Sequence, residues 1–293
     1  MLCNPKQNSQ EGHIIEHPSN RTIDLLNPVY LFRGLWTHRY LIFELTRREV
    51  SQQYQGSLFG TMWSVIVPLF MLLIYTFMFS IVFKSRWQGQ AETPPGQFTV
   101  ILFAGLLAFN LFSAVIGRAP GLIINNQNYV KKVVFPVEVL LVAVVGANIF
   151  TSLINVVLVL IGNLLIMHTI SATLVFLPIV YLPLIFLCLG LGWILASLGV
   201  YIRDINQVVA ILITALFFLT PIFYSIEIMP PVYQTILLLN PLTTILIGFR
   251  QTLLWNELPF TPIWFLVTLV TAVLAQLGYA WFMKSKKGFA DVL

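Results

Sequence analysis

The chain has 293 residues, 58% of them hydrophobic and only 9% charged, with a formal net charge of +5. Ordinary soluble domains carry about 25% charged residues, so no soluble fold of this length could hide so much apolar surface. The basic excess has a topological explanation and calls for no nucleic-acid partner.

Residues 1–29 are polar and lack the basic-then-apolar order of a signal peptide. They are expected to form a cytoplasmic tail ahead of a membrane helix that inserts on its own. Residues 30–53 predict an N-terminal amphipathic helix lying in the membrane interface. There Leu31, Phe32, Leu35, Trp36, Ile42 and Phe43 recur at helical spacing, with Arg39, Glu44, Arg47 and Arg48 between them.

From residue 54 to 293 the chain reads as one membrane domain. A helix needs about 20 apolar residues to cross the hydrocarbon. Charge-free runs place spans at about 59–83, 98–117, 139–166, 173–200, 206–224 and 263–283. The expected fold is therefore all-α and integral to the membrane, with six transmembrane helices per subunit. Val139–Ile202 holds no Asp, Glu, Lys or Arg over 64 residues, too long for one span, and a break is expected near Met167–Ala172. Segment 225–260 is apolar but interrupted by Pro230, Pro231, Asn240 and Pro241. Irregular backbone survives at membrane depth only where protein or water satisfies it, so this segment reads as two short external re-entrant helices.

Lys and Arg placement sets the orientation. With the N-terminus inside, 13 basic residues fall in cytoplasmic segments and three, Lys84, Arg86 and Arg250, outside. Both termini are then cytoplasmic.

A membrane enzyme acting on lipid phosphates needs clustered carboxylates, a metal or a histidine base. The predicted spans offer none, and His168 falls in an expected external turn. The two cysteines, Cys3 and Cys188, and the four histidines form no metal-binding pattern. No G-x-x-x-x-G-K-[ST] loop is present, so the chain is not expected to hydrolyse ATP. An ion-coupled carrier normally buries an ionisable group at mid-membrane, and none is apparent. Free energy for transport would then come from a separate ATPase pressing on the cytoplasmic surface. The compact polar segment Ala119–Glu138 suits such a contact, through Asn125, Asn128, Tyr129, Lys131, Lys132, Phe135 and Pro136. Arg203 and Asp204, after the fourth span, are a second candidate.

Five blocks, in order and at similar spacing, carry a resemblance. They are RREVSQQYQGSLFGTMWSVIVPL at 47–69, YVKKVVFPVEVL at 129–140, LGVYIRDINQVV at 198–209, TPIFYSIEIMPP at 220–231 and NPLTTILIGFRQTLL at 240–254. Together they resemble the permease subunits of ABC-2 type polysaccharide and polyol-phosphate exporters, which serve O-antigen, capsule and teichoic acid. Gln52 and Gln53 depart from the basic residue usual there, and the polar N-terminal extension has no counterpart in the pattern.

The resemblance implies a homodimer in the bacterial inner membrane with two copies of an ATP-binding subunit beneath it. ATP and Mg would be bound by that partner, and no cofactor by this chain. The 119–138 segment and the interfacial helix would form the docking surface, and the first and fifth spans would line the channel. Aromatic rings there, Trp63, Phe70, Tyr75 and Phe79, then Phe217, Phe218, Phe223 and Tyr224, would let sugars slide past without a deep binding well. Arg47 and Arg48 lie where a lipid diphosphate headgroup would sit, and arginine forks match phosphate oxygens. The implied cargo is undecaprenyl-diphosphate-linked polysaccharide, O-antigen first. Teichoic acid, capsule or a small amphiphile are the alternatives, and a membrane-embedded glycosyl or prenyl transferase is the rival of another class.

Overall fold

The computed structural model describes residues 27–55, 59–83, 87, 96–130 and 135–293. Among them the chain is all-helical, with no strand. Five helices are long and apolar enough to cross a membrane.

The chain enters through two helices, α1 (Pro28–Thr37) and α2 (Arg39–Tyr54), where one was expected. Asn27 caps α1 by accepting from Val29 N at 3.0 Å. The break at His38 follows from local competition for acceptors. Thr37 Oγ1 turns back to the Arg33 carbonyl at 2.9 Å, and Arg39 Nη1 donates to the Trp36 carbonyl at 3.2 Å. Helix α1 buries none of its residues, whereas α2 packs along α6 (Val139–Met167).

The first long apolar helix, α3 (Trp63–Tyr75), carries Pro68 in its interior and continues as wider π-helical turns over Thr76–Val82. Ser64 is the one buried residue in α3. The next, α4 (Gln97–Arg118), behaves oppositely: 16 of its 22 residues are buried. It touches α6, α7 (Leu177–Tyr201), α8 (Ile205–Leu219) and α10 (Pro241–Arg250), so it is the axle of the bundle. Apolar residues all round a helix permit this placement. A short turn of helix, α5 (Gln127–Val130), lies between α4 and α6.

The charge-free stretch forms α6 and α7, linked through a left-handed His168 (φ +54°) and a tight helical turn at Ala172–Phe176. Helix α8 is shorter than the 206–224 span expected, because Pro221 forces Thr220 into an extended conformation and stops the helix at Leu219. At about 1.5 Å per residue, its 15 residues reach only about 22 Å.

Helices α9 (Pro231–Leu239) and α10 meet at a 98° bend. Asn240 holds the corner: its Oδ1 accepts from Leu242 N at 3.1 Å and its Nδ2 donates to Thr220 Oγ1 at 3.0 Å. The last long helix, α11 (Pro262–Ser285), makes the most extensive contact in the fold, with α7, and a short α12 (Phe289–Val292) follows.

Candidate functional site

Polar contacts gather at the end of the bundle where α4, α7 and α11 finish and α6 begins, here called the basic end. Arg118, the last residue of α4, pairs with Glu49 of α2 at 2.6 Å. The residue before Glu49, Arg48, donates to the Tyr129 hydroxyl. The rings of Tyr129 and Phe135 stack with centroids 4.4 Å apart. These contacts fasten α2 to the segment between α4 and α6. A pocket of about 360 Å³ opens beside them, lined by Gly117, Arg118, Gly121, Asn125, Asn126 and Asn206 among others.

A second tie at the same end is Glu138, whose carboxylate meets Lys286 Nζ at 2.7 Å. Its backbone carbonyl accepts from Trp193 Nε1 at 3.2 Å. Glu138 thus joins the start of α6 to the middle of α7 and to the turn after α11. Replacing Glu138 by glutamine is expected to lower stability by about 1–2 kcal/mol, discounted because Lys286 retains access to solvent. The check is the thermal midpoint of the purified chain. Lys286→Met in the same background should then add little, since the partner is already lost.

The proposed coupling residues are distributed around this end. Asn128 is exposed, Pro136 is half-buried, and Arg203 and Asp204 are both exposed just before α8. Asp204 stands at the N-cap of α8 without a side-chain cap bond. Lys131 and Lys132 lie outside the described residues. Arg47 is exposed, so the structure separates it from Arg48, which is engaged with Tyr129.

The aromatic residues divide into two sets. Phe79, Phe217 and Phe223 pack on one another, with Phe79 and Phe223 stacked at 5.8 Å and Phe217 and Phe223 edge-to-face at 5.1 Å. Phe98 and Phe109 of α4 extend the cluster. Tyr75 and Tyr224 are half-buried beside it, while Trp63, Phe70 and Phe218 are exposed.

The opposite end holds a residue that sequence reasoning had assigned to an external segment. Arg250, the last residue of α10, is 2% exposed. Its Nε donates to the Ile101 carbonyl at 3.1 Å, Nη1 to that of Pro221 at 2.8 Å and Nη2 to that of Ile222 at 2.7 Å. The guanidinium lies over the Trp87 ring, 4.5 Å from its centroid. No carboxylate neutralises it among the described residues. Gly105 of α4 makes room, since a Cβ there would stand 2.7 Å from Nη2. Among the described residues the bundle interior therefore does hold a buried guanidinium, satisfied by the Pro221 and Ile222 carbonyls at the break after α8 and by a helical carbonyl of α4. The signal in the sequence was a lone arginine in the apolar run PLTTILIGFRQTLLW, a setting in which ionisable residues usually have a role.

Fold and site together define a multi-span helical membrane protein with an articulated polar end and a locked opposite end. The chain belongs to the ABC-2 type transporter family, whose sequence pattern matches residues 40–254. It is 26% identical over 265 residues to the O-antigen export system permease protein RfbA of Myxococcus xanthus, covering 90% of this chain and 99% of that one. The RfbA protein of Klebsiella pneumoniae is 26% identical over 256 residues, covering 86% and 95%. The polysialic acid transport protein KpsM of Escherichia coli is 24% identical over 224 residues, covering 75% and 84%.

Proposed function

We propose that this chain is the permease subunit of an ATP-driven exporter that carries undecaprenyl-diphosphate-linked polysaccharide, O-antigen first, across the bacterial inner membrane. The observation that carries this reading is the end-to-end similarity to permeases named for O-antigen export. A second reading, export of an acidic capsule polymer, draws on the weaker similarity to the polysialic acid transport protein.

In this reading the basic end faces the cytoplasm, both termini are cytoplasmic, and two copies of an ATP-binding subunit dock there and bind the ATP and Mg. The tied surface of α2 and segment 119–138 supports that role, because Glu49–Arg118, Arg48–Tyr129 and Glu138–Lys286 couple it to three long helices. Helix α8 serves as a short sixth span, α1 and α2 lie at the membrane surface, and the bent pair α9–α10 is re-entrant on the outside. Two copies of the chain meet through the unburied faces of α3 and α8, whose exposed aromatics line the path. Arg47, exposed in α2, meets the lipid diphosphate.

Deleting the gene should trap lipid-linked polymer inside the cell, and normal surface polysaccharide in the deletion strain would refute the reading. Purification from native membranes should bring down an ATP-binding protein at near-equal stoichiometry. Vesicles holding this chain alone should move no glycan.

A further inference from the structure

We infer that Phe79 is a movable plug at the end of the subunit opposite the basic one, that Phe223 is the fixed seat it closes on, and that Arg250 is the positioning residue that holds the seat. This inference rests on the export reading and deepens it, because it names a contact within one subunit that must part as glycan leaves.

Three irregular segments converge at this end. Thr76–Val82 and Gln251–Trp255 are both π-helical, and the chain runs extended at Thr220 and again at Ser225. π-Helical turns are rare and recur at functional sites. Phe79 is the central residue of the first of them. Returning such a turn to α geometry rotates what lies beyond it by about one residue, roughly 100°. The end of the first long helix can therefore turn without losing its hydrogen-bonded ladder.

The plug is lightly held. Helix α3 buries only Ser64, and its π-helical extension buries nothing. Phe77, Ile81, Val82 and Phe83 are exposed, whereas Phe79 is half-buried. Its ring reaches Phe98 of α4 at 5.3 Å and stacks on Phe223 at 5.8 Å with 28° between the planes. The hydrogen bond beside it, between Ser80 Oγ and Thr99 Oγ1, is long at 3.4 Å. Ring contacts of this kind are individually weak, so they can part and re-form.

The seat is built differently. Phe223 directly follows the Pro221 and Ile222 carbonyls, which Arg250 holds at 2.8 and 2.7 Å. Ile222 is fully buried, and Phe217 packs edge-to-face on Phe223 at 5.1 Å. The guanidinium is itself anchored to the Ile101 carbonyl at 3.1 Å and over the Trp87 ring. Charge-assisted bonds from a planar fork fix geometry in a way that a ring stack does not. When the contact parts, Phe79 moves and Phe223 stays.

The test joins the pair. Phe79→Cys and Phe223→Cys are combined with Cys3→Ser in cells that make the polymer and hold the whole exporter; Cys188 is fully buried and stays. An ethylene-bridged, reducible bis-thiosulfonate should link positions 79 and 223 within one chain. New surface polysaccharide should then fall on the order of tenfold, because opening gates turnover, and reductant should restore it. Neither single-cysteine variant should respond to the reagent. Adding Arg250→Lys should lower the yield of the 79–223 link several-fold in protein of matched abundance, while a Glu138→Cys, Lys286→Cys pair at the basic end links as before. An arginine with only a structural role would change abundance and not that ratio. The inference fails if the pair links and export continues, or if the pair does not link at all. Arg250 is not the positioning residue if Arg250→Lys leaves the yield unchanged. Failure of the export reading looks different: surface polysaccharide would then survive deletion of the whole gene.

Discussion

Arg250→Leu is expected to lose about 3–5 kcal/mol of stability, read as a large drop in the thermal midpoint and in the yield of monodisperse protein from detergent. The substitution strands the carbonyls of Pro221 and Ile222, which with that of Ile101 in α4 are held at 2.7–3.1 Å by one planar fork. Each buried acceptor without a donor costs about 1–3 kcal/mol. The lost cation–π contact with Trp87 adds to this. Arg250→Lys should recover only part of the loss, because an ammonium is a point donor and cannot spread across three carbonyls on two separate segments. Gly105→Ala is the companion variant: its methyl would sit 2.7 Å from Nη2 and 3.1 Å from Cζ, and the fork is pinned on three sides. In an Arg250→Leu background the Gly105→Ala change should cost much less, a non-additivity that marks direct contact. Wild-type melting of Arg250→Lys would show that the fork geometry is immaterial. The Pro221 and Ile222 carbonyls follow the end of α8, so the lock ties that end to α10 and to α4.

The second large effect is expected where α7 crosses α11. A Cβ on Gly278 would stand 2.3 Å from the Gly190 carbonyl oxygen, and one on Gly190 would stand 2.7 Å from the Leu274 carbonyl carbon. Both obstacles are backbone, so no side chain can swing away. Membrane helices associate through van der Waals packing, and small residues let their backbones approach. Gly278→Val should therefore force the most extensively packed helix pair apart, costing about 3 kcal/mol or more. Expected readouts are loss of the folded peak on size exclusion and a lowered thermal midpoint. Gly278→Ala should be milder and in the same direction. A Gly278→Val protein that melts like wild type would mean that the two helices do not touch there. The Glu138–Lys286 tie sits at the end of the same pair, so a splayed α11 should also loosen the start of α6.

Much of this architecture was legible from charge and apolar run length alone. The charge-free Val139–Ile202 stretch is too long for one crossing, and the turn at His168 divides it. The family was legible too, from blocks such as YVKKVVFPVEVL and NPLTTILIGFRQTLL. Shorter-range structure was less so. The break at His38 depends on Thr37 and Arg39 competing for carbonyls, and the early stop of α8 on Pro221 acting on Thr220. Both are local effects that hydropathy does not register. Arg250 was read as an external charge because, counted by sign alone, it belongs with the loops. Its real environment is made by Ile101, Pro221 and Ile222, up to 149 residues away in sequence.

By itself the sequence determined that this protein is a multi-span membrane protein, roughly where its long apolar helices lie, and to which transporter family it belongs. Only the tertiary structure decided that α4 is the buried axle while α3 stays uncovered, although α4 up to Gly117 is as free of charge as α3. The reason is that lipid tails and a protein interior accept the same side chains, so apolar composition sets the solvent of a helix and not its neighbours. Neighbours are chosen by the shapes of glycines, by freed carbonyls and by the few polar groups that must be matched.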